Sequence, residues 1–175
     1  MRKTIKYSRS KIMTLYRAHI KRLHARKRPV LISQRNVVIG TDDEWFNAAI
    51  IDRNPAWVPV TNASYVWNVN DLSSERAIVS TSFRLPLARN ILSARLFLAV
   101  DNFAIVIING IPVINDNPQN NPAFFNPGRD MGVRRFLRRG INDIAIIAFN
   151  FGGARSAANP AGVAARLNIR LSALL

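Results

Sequence analysis

The sequence of 175 residues contains no cysteine and only two histidines, His19 and His24. The absence of cysteine excludes a disulfide scaffold, a cysteine-based zinc site and a thiol nucleophile. Both histidines lie near the start of the chain, so the remainder cannot form a Ser-His-Asp triad or a histidine-dependent metal site. We therefore expect a binding or structural protein without a metal or cofactor, and not an enzyme.

Acidic residues are also scarce, at ten in the whole chain, and only Asp42, Asp43 and Glu44 are clustered. This cluster lacks the spaced pattern of a calcium loop, and the other acids do not single out the carboxylate pair of a glycosidase. The sequence has no apolar run approaching the roughly 20 residues of a membrane-spanning helix. Charged residues interrupt the N-terminal segment, so we expect no secretory signal and synthesis in the cell interior.

The basic residues are distributed unevenly. Residues 1–41 hold 12 of the 25 lysines and arginines and no acid, whereas the remainder holds 13 basic and 10 acidic residues. This asymmetry predicts a basic arm, residues 1–32, on a nearly balanced body, residues 33–175. Such an arm is suited to a protein subunit with an acidic surface, to nucleic acid or to an anionic membrane surface.

Within the arm, the absence of glycine and proline predicts a helix over about 10–27, ended by Pro29. Its apolar stripe recurs at helical spacing and comprises Ile12, Met13, Tyr16, Ile20 and Leu23. The basic face lies outside the stripe and comprises Lys11, Arg17, Lys21 and Arg22. The stripe lacks Trp and Phe, so we favour docking on another protein over a membrane interface. A third arrangement packs the stripe on the chain's own body and leaves the basic face for nucleic acid.

After Pro29 the apolar period changes from 3.6 to 2. Residues 78–85 and 163–171 alternate apolar and polar, which is typical of antiparallel strands with one wet face. Residues 95–100, 103–108 and 141–149 are more apolar still and are predicted to be central strands. Asn109-Gly110 predicts a tight hairpin, and the fold class is an all-β antiparallel β-sandwich with an N-terminal basic amphipathic helical arm.

Two segments contain further candidate contacts. Residues 115–128 read as an Asn/Pro loop that carries Phe124 and Phe125. Arg134-Arg135 and Arg138-Arg139 flank Phe136-Leu137, and in an extended strand each pair would place one arginine on either face. These side chains are loop or interface contacts in our interpretation. Trp45, Trp57 and Trp67 are expected in the core, although sugar binding would need some of the aromatics to be exposed.

The run from Ala94 to Leu171 resembles a galactose-binding-domain-like β-sandwich of the jelly-roll type. The resemblance rests on these segments: Ala94–Asn102, Val106–Gly110, Phe136-Leu137, Gly140–Ile146, Ala148–Asn150 and Pro160–Gly162. Residues 45–85 resemble the leading strands of the family more loosely, and the arm lies outside the pattern. Modules of this family serve as sugar-binding appendages of glycosidases, as adhesion domains and as structural parts of viral particles.

Three functions follow as hypotheses. The leading hypothesis is a structural component of a large assembly, a minor or cementing capsid protein located in the virion, whose arm tethers it to neighbouring subunits. The runner-up is a carbohydrate-binding module, and the third is a nucleic-acid-binding protein that acts through the arm. Fold alone does not distinguish them.

Overall fold

The computed structural model describes residues 8–116 and 124–173, and these ranges form two packed β-sheets with one helix. The elements, in chain order, are α1 (Arg9–Arg26), β1 (Val30–Leu31), β2 (Asn36–Gly40), β3 (Ala48–Ile50), β4 (Val66–Asn68), β5 (Arg76–Leu85), β6 (Ile91–Asp101), β7 (Phe103–Ile108), β8 (Ile111–Asn115), β9 (Phe124–Gly132), a 3₁₀ turn (Arg134–Phe136), β10 (Gly140–Phe149) and β11 (Gly162–Leu171). This arrangement confirms the predicted all-β sandwich with an N-terminal helix.

The first sheet has the strand order β1-β5-β10-β7-β8, and the second has the order β3-β4-β11-β6-β9, with β2 also paired to β11. All pairs are antiparallel except β1 with β5. The main core lies between the sheets and includes Trp67, Phe83, Leu96 and Ile146. Asp101-Asn102 makes a tight connection between β6 and β7 that carries the chain from the second sheet to the first, so these two strands do not form a hairpin.

The ends of helix α1 are determined by a capping serine and by a proline. The Ser8 hydroxyl accepts a hydrogen bond from the Lys11 amide at 3.3 Å, which caps the first turn. Lys27 is already extended, two residues before Pro29, whose ring disfavours helical geometry in the residue preceding it. The observed range, Arg9–Arg26, lies within one residue of the predicted helix at each end.

The first sheet is apolar on both faces, and this explains the position of α1. Every residue of β7 is buried, so side chains alternate between the inter-sheet core and an outer face that would otherwise meet water. Helix α1 covers that outer face. Its Ile12 and Tyr16 form a second core with Phe103, Ile105 and Ile147, and with the neighbouring residues Ile107, Ala145 and Phe149.

The apolar stripe that we expected to dock on another protein is therefore placed on the chain's own sheet. Ile12, Tyr16 and Leu23 are buried, and Met13 and Ile20 are partly buried against the same cluster. A stripe in this position is not available to a neighbouring subunit. The structure instead matches the third arrangement considered above, in which the helix packs on the body and its basic face points away from it.

Two other segments differ from the sequence expectation. Phe124 and Phe125 begin strand β9, which pairs with β6 from Leu98↔Arg129 to Arg95↔Gly132, so they do not lie in a loop. The remainder of the predicted loop, residues 117–123, lies outside the described residues.

The arginine-rich segment is also not an extended strand. Arg134 to Phe136 form a 3₁₀ turn, and the chain then turns into β10. The amide of Asn142 holds this turn, because its Oδ1 accepts from the Arg138 amide at 2.9 Å and its Nδ2 donates to the Arg138 carbonyl at 2.7 Å. Side-chain to backbone bonds of this kind compete with strand pairing. Asn109 adds a bond from its Nδ2 to the Phe136 carbonyl at 2.8 Å.

Two glycine-containing positions are dictated by geometry. Asn109 and Gly110 have φ of 50° and 84°, which is the left-handed backbone that the predicted hairpin turn requires. Gly162 begins β11 beneath the Trp57 ring, and a Cβ atom there would lie 2.6 Å from that ring. Trp57 can pack on the sheet because this position has no side chain.

Along residues 8–116 and 124–173, α1 does not have the length and apolar character that crossing a membrane requires.

The docking of α1 can be tested by truncating a side chain of its apolar stripe. Leu23→Ala should lower the free energy of unfolding by about 2–5 kcal/mol because Leu23 is almost fully buried. Arg17→Ala, on the exposed side of the same helix, should change it by less than about 0.5 kcal/mol. Chemical denaturation measures both values. Amide exchange of α1 as fast as in an unfolded peptide, with β10 fully protected, would contradict the docked arrangement.

Candidate functional site

The three tryptophans lie in the interior, as expected, with exposed fractions of 4% for Trp45, 3% for Trp57 and 0% for Trp67. Each indole N–H has a partner inside the chain: the Gly40 carbonyl at 2.7 Å, the Asp101 carboxylate at 2.9 Å and the Ser74 carbonyl at 2.9 Å, respectively. None of them offers a flat exposed ring on which a sugar could stack. A binding site must therefore be built from other residues.

The strongest candidate is a cavity of about 410 Å³ between the second half of α1 and the start of β5. Its lining combines three arginines, three asparagines, a serine and a few apolar side chains. These residues are His19, Arg22, Arg26, Phe46, Asn47, Asn68, Val69, Asn70, Ser74, Arg76 and Ile78. No carboxylate is among them. We call this space the helix cavity.

The wall opposite α1 is held by hydrogen bonds among short polar side chains. Asn47 donates from Nδ2 to the Ile78 carbonyl at 2.8 Å, and Asn70 donates from its Nδ2 to Asn47 Oδ1. The side-chain Oδ1 of Asn68 accepts a hydrogen bond from the backbone amide of Asn70 at 3.1 Å. Asn47 has a φ of 67°, which asparagine tolerates better than most residues. The wall is thus ordered before any ligand arrives.

His19 lies at the bottom of the helix cavity, 2% exposed, with its ring centroid 4.9 Å from that of Phe46. Its Nε2 has no hydrogen-bond partner in the described part of the chain. Burial, reinforced by the nearby charge of Arg22, lowers the pKa of His19 from 6.5 to about 4. The ring is therefore neutral at pH 7, and the positive charge around the cavity comes from its arginines.

The predicted basic face of α1 is exposed along its length. Lys11, Arg17, Lys21 and Arg22 all face solvent, and Arg22 also lines the helix cavity. The helix is further fixed by His24, whose Nε2 lies 2.7 Å from Asp143 Oδ1 on β10. Sequence reasoning missed both histidine contacts, because nothing in the local pattern shows that α1 crosses β10.

The other predicted contacts lie elsewhere on the molecule and are not brought together with the helix cavity. Arg134, Arg135, Arg138 and Arg139 are all exposed around an open groove that also includes Asn90–Leu92. Phe124 is half-buried beneath the Arg129 guanidinium, 3.6 Å from its ring centroid, and Phe125 packs beside Trp57 and Tyr65. The two phenylalanines contribute to the core and do not form an exposed loop contact.

A buried polar cluster was also missed by the sequence reasoning. Asp101 accepts the Trp57 indole N–H, and burial raises the pKa of this carboxyl although that hydrogen bond and one from Asn102 act in the opposite direction. Tyr65 stacks on Trp57 at 4.8 Å between centroids, and burial raises the pKa of Tyr65 to about 12. The hydrogen bond from Trp57 to Asp101 anchors the loop that carries Trp57.

Within residues 8–116 and 124–173, no three histidine or acidic side chains converge as a metal site would require. Asp42, Asp43 and Glu44 lie in a turn in which Asp42 Oδ1 accepts a hydrogen bond from the Glu44 amide at 3.0 Å. Glu44 also pairs with Lys27. These acids thus contribute to local structure.

Comparison with known proteins gives neither a matching family model nor a matching curated sequence. Among solved structures, the chain is similar to a family 35 carbohydrate-binding module from Clostridium thermocellum, with 17% identity, a TM-score of 0.42, and coverage of 75% of this chain and 96% of that one. It is also similar to a module named CBM35 from Paenibacillus barcinonensis, with 12% identity, a TM-score of 0.41, and coverage of 78% and 98%.

A β-glucuronidase from an uncultured Clostridium species is a further similar structure, with 12% identity and a TM-score of 0.44. The match covers 82% of this chain and 30% of that enzyme. These values indicate likeness in architecture only. The proteins named here give no support to the expected location in a virion.

The buried His19 predicts a stability that falls in mild acid. Because its folded pKa of about 4 lies below the ordinary 6.5, the unfolded chain binds the proton more readily. The contribution of neutral His19 to the free energy of unfolding is therefore fully present above pH 6.5. It decreases as the pH falls towards 4, by up to about 3 kcal/mol. His19→Phe, which keeps a ring against Phe46, should flatten this part of the profile. His24→Gln should leave the His19 contribution in place, and an unaltered profile in His19→Phe would refute the assignment.

Proposed function

We propose that this protein is a non-catalytic carbohydrate-binding module whose ligand occupies the helix cavity. The observation that carries the proposal is the lining of that cavity, which combines three asparagine amides and three guanidinium groups with the Phe46 ring and two aliphatic side chains. Amide groups can donate and accept hydrogen bonds at the same time, as sugar hydroxyls do. A volume of about 410 Å³ lies within the range of small-molecule sites.

The charge of the cavity favours a glycan that carries acid groups. Arg22, Arg26 and Arg76 line it, and no carboxylate does. Guanidinium groups pair with carboxylate and sulfate through two parallel N–H bonds, which gives both strength and orientation. A neutral sugar would leave Arg22 and Arg26 to solvent. The carbohydrate class that fits best is therefore a uronic acid or a sulfated sugar.

A glycan array with matched acidic and neutral sugars tests the proposal. Arg22→Gln combined with Arg26→Gln should weaken binding of the acidic glycan by about 10–100-fold, because each charged hydrogen bond contributes about 1.5–3 kcal/mol and some solvent replaces it. Arg17→Gln combined with Lys21→Gln removes the same charge from the exposed side of the helix and should leave affinity within about two-fold. No bound glycan, or equal losses in both double variants, would reject the proposed site.

The exposed basic face supports a second candidate, binding of nucleic acid through α1. With the stripe held on the sheet, Lys11, Arg17, Lys21 and Arg22 form a row of cations on a fixed helix. Four phosphate contacts would give a slope of about −3 to −4 for the logarithm of affinity against the logarithm of salt concentration on duplex DNA. A slope near zero, measured by fluorescence anisotropy with a labelled duplex, would remove this candidate.

The expected role as a capsid component receives no support from the position of the helix. That role required the stripe to tether the protein to its neighbours, and Ile12, Tyr16 and Leu23 are already buried on the chain's own sheet. We therefore place the carbohydrate-binding module first.

A further inference from the structure

One end of the sandwich gathers the ends of strands from both sheets. Gly140 at the start of β10 pairs with Leu85 at the end of β5, and Leu171 at the end of β11 pairs with Ile91 at the start of β6. The short connection between β5 and β6 brings the two sheets together there. We call this surface the arginine end and define it by these residues: 30–36, 84–93, 109–111, 132–141 and 170–173.

The arginine end is strongly basic. Its ranges contain no acidic residue and eight arginines: Arg35, Arg84, Arg89, Arg134, Arg135, Arg138, Arg139 and Arg170. Four guanidinium groups are held in place by backbone carbonyls. Arg134 donates to Ile91 at 2.7 Å and Arg138 to Ile141 at 3.0 Å. Arg139 donates to Leu87 at 3.1 Å and Arg89 to Ser172 at 2.9 Å. A carbonyl positions a guanidinium group without neutralising it. Among the described residues, no salt bridge involves these arginines, so their positive charge is held in place without being neutralised there.

The same end exposes large apolar side chains. Leu31 is 76% exposed, Leu87 is 68% exposed and Leu92 is 43% exposed. The described residues include ten exposed large apolar side chains, and five of them lie here: Val30, Leu31, Leu87, Leu92 and Ile111. They are carried by separate segments, namely β1, the β5–β6 connection, the start of β6 and the start of β8. The arginines are interspersed among them.

We propose that the arginine end binds an anionic lipid surface, with the leucines inserted at the headgroup boundary and the arginines against the headgroup phosphates and carboxylates. Polybasic surfaces are attracted to anionic lipid, and apolar side chains gain by leaving water at the interface. Arginine suits this position because its stem follows apolar surface while its charged group remains at the polar layer. The association is peripheral.

The alternation of charge and exposed leucine favours lipid over the other polyanions. A nucleic acid backbone would use the arginines but would leave Leu31, Leu87 and Leu92 in water, and no exposed aromatic ring at this end could stack on a base. A folded acidic protein would need one continuous apolar patch to match, whereas these side chains are carried by four separate segments with arginines among them. A fluid lipid surface accepts separate insertions.

This inference does not depend on the helix cavity. The cavity is built from the second half of α1, residues 46–47 and residues 68–78, none of which belongs to the arginine end. A protein that binds glycan but not lipid, or lipid but not glycan, would distinguish the two proposals.

Co-sedimentation of the full chain with vesicles tests the inference. The protein should bind vesicles of mixed phosphatidylserine and phosphatidylcholine and should not bind vesicles of phosphatidylcholine alone. Replacing Arg134, Arg135, Arg138 and Arg139 by Gln should weaken binding by about a few hundred-fold, at about five-fold for each charge. Leu87→Asp combined with Leu92→Asp should weaken vesicle binding by at least about ten-fold, because two apolar side chains no longer gain by leaving water.

Matched controls use similar residues elsewhere. Leu72→Asp changes a leucine of 45% exposure outside the arginine end and should leave vesicle binding within about two-fold. Arg17→Gln combined with Lys21→Gln tests the helix, and its vesicle affinity should exceed that of the quadruple arginine variant. Thermal melting of each variant confirms that it is folded. Binding to vesicles of phosphatidylcholine alone would overturn the inference, and so would leucine variants that bind vesicles as well as the parent protein. If those leucine variants bind normally and the protein also binds duplex DNA tightly, the surface is assigned to nucleic acid.

Discussion

The structure depends on a sheet that is apolar on both faces. Strands β7 and β10 bury nearly every side chain, so a second sheet on one side leaves the other side without cover. Apolar surface of that extent is costly to expose to water. Helix α1 provides the second cover, and the molecule has three layers where a simple sandwich has two. The position of the helix, the exposure of its basic face and the helix cavity all follow from this requirement.

The three-layer arrangement also determines what the protein can bind. The helix cavity has one wall from α1 and one from the segments around β4 and β5, so it exists only while the helix is docked. A ligand that contacts both walls stabilises the docked state by mass action. The histidines contribute in different ways, since His19 is buried at the floor and His24 contacts Asp143 on β10. Binding at this cavity and packing of the helix are therefore coupled.

Much of the architecture could be predicted because it follows from local patterns in the amino-acid sequence. The period of 3.6 and Pro29 give the limits of α1, alternation gives β5 and β11, and Asn109-Gly110 gives a hairpin with the expected backbone. The uninterrupted apolar character of residues 103–108 indicated a central strand. A strand with apolar residues at every position also requires packing partners on both faces of its sheet. That requirement indicates the apolar stripe of α1 as the second partner.

The candidate site could not be predicted in the same way, because its residues come together through long-range contacts. His19, Asn47, Asn70 and Arg76 have no common local pattern, and only the crossing of α1 over β5 and β10 joins them. The segment around Arg134 was misread for a related reason. Its fold depends on the side chains of Asn109, which is partly buried, and Asn142, which is fully buried. A pattern of apolar and charged residues does not reveal these partners.

The position of α1 has a consequence for the order of events during synthesis. The helix is synthesised before the strands that it covers, yet His24 contacts Asp143 across a separation of 119 residues, and the surface that receives the helix is incomplete until β10 has been made. An isolated helix of this length is only marginally stable in water, so this segment is a charged chain of fluctuating conformation until its sheet has formed. Its many like charges keep it soluble during that interval. The late docking of α1 thus gives its basic residues a role while the chain is still folding.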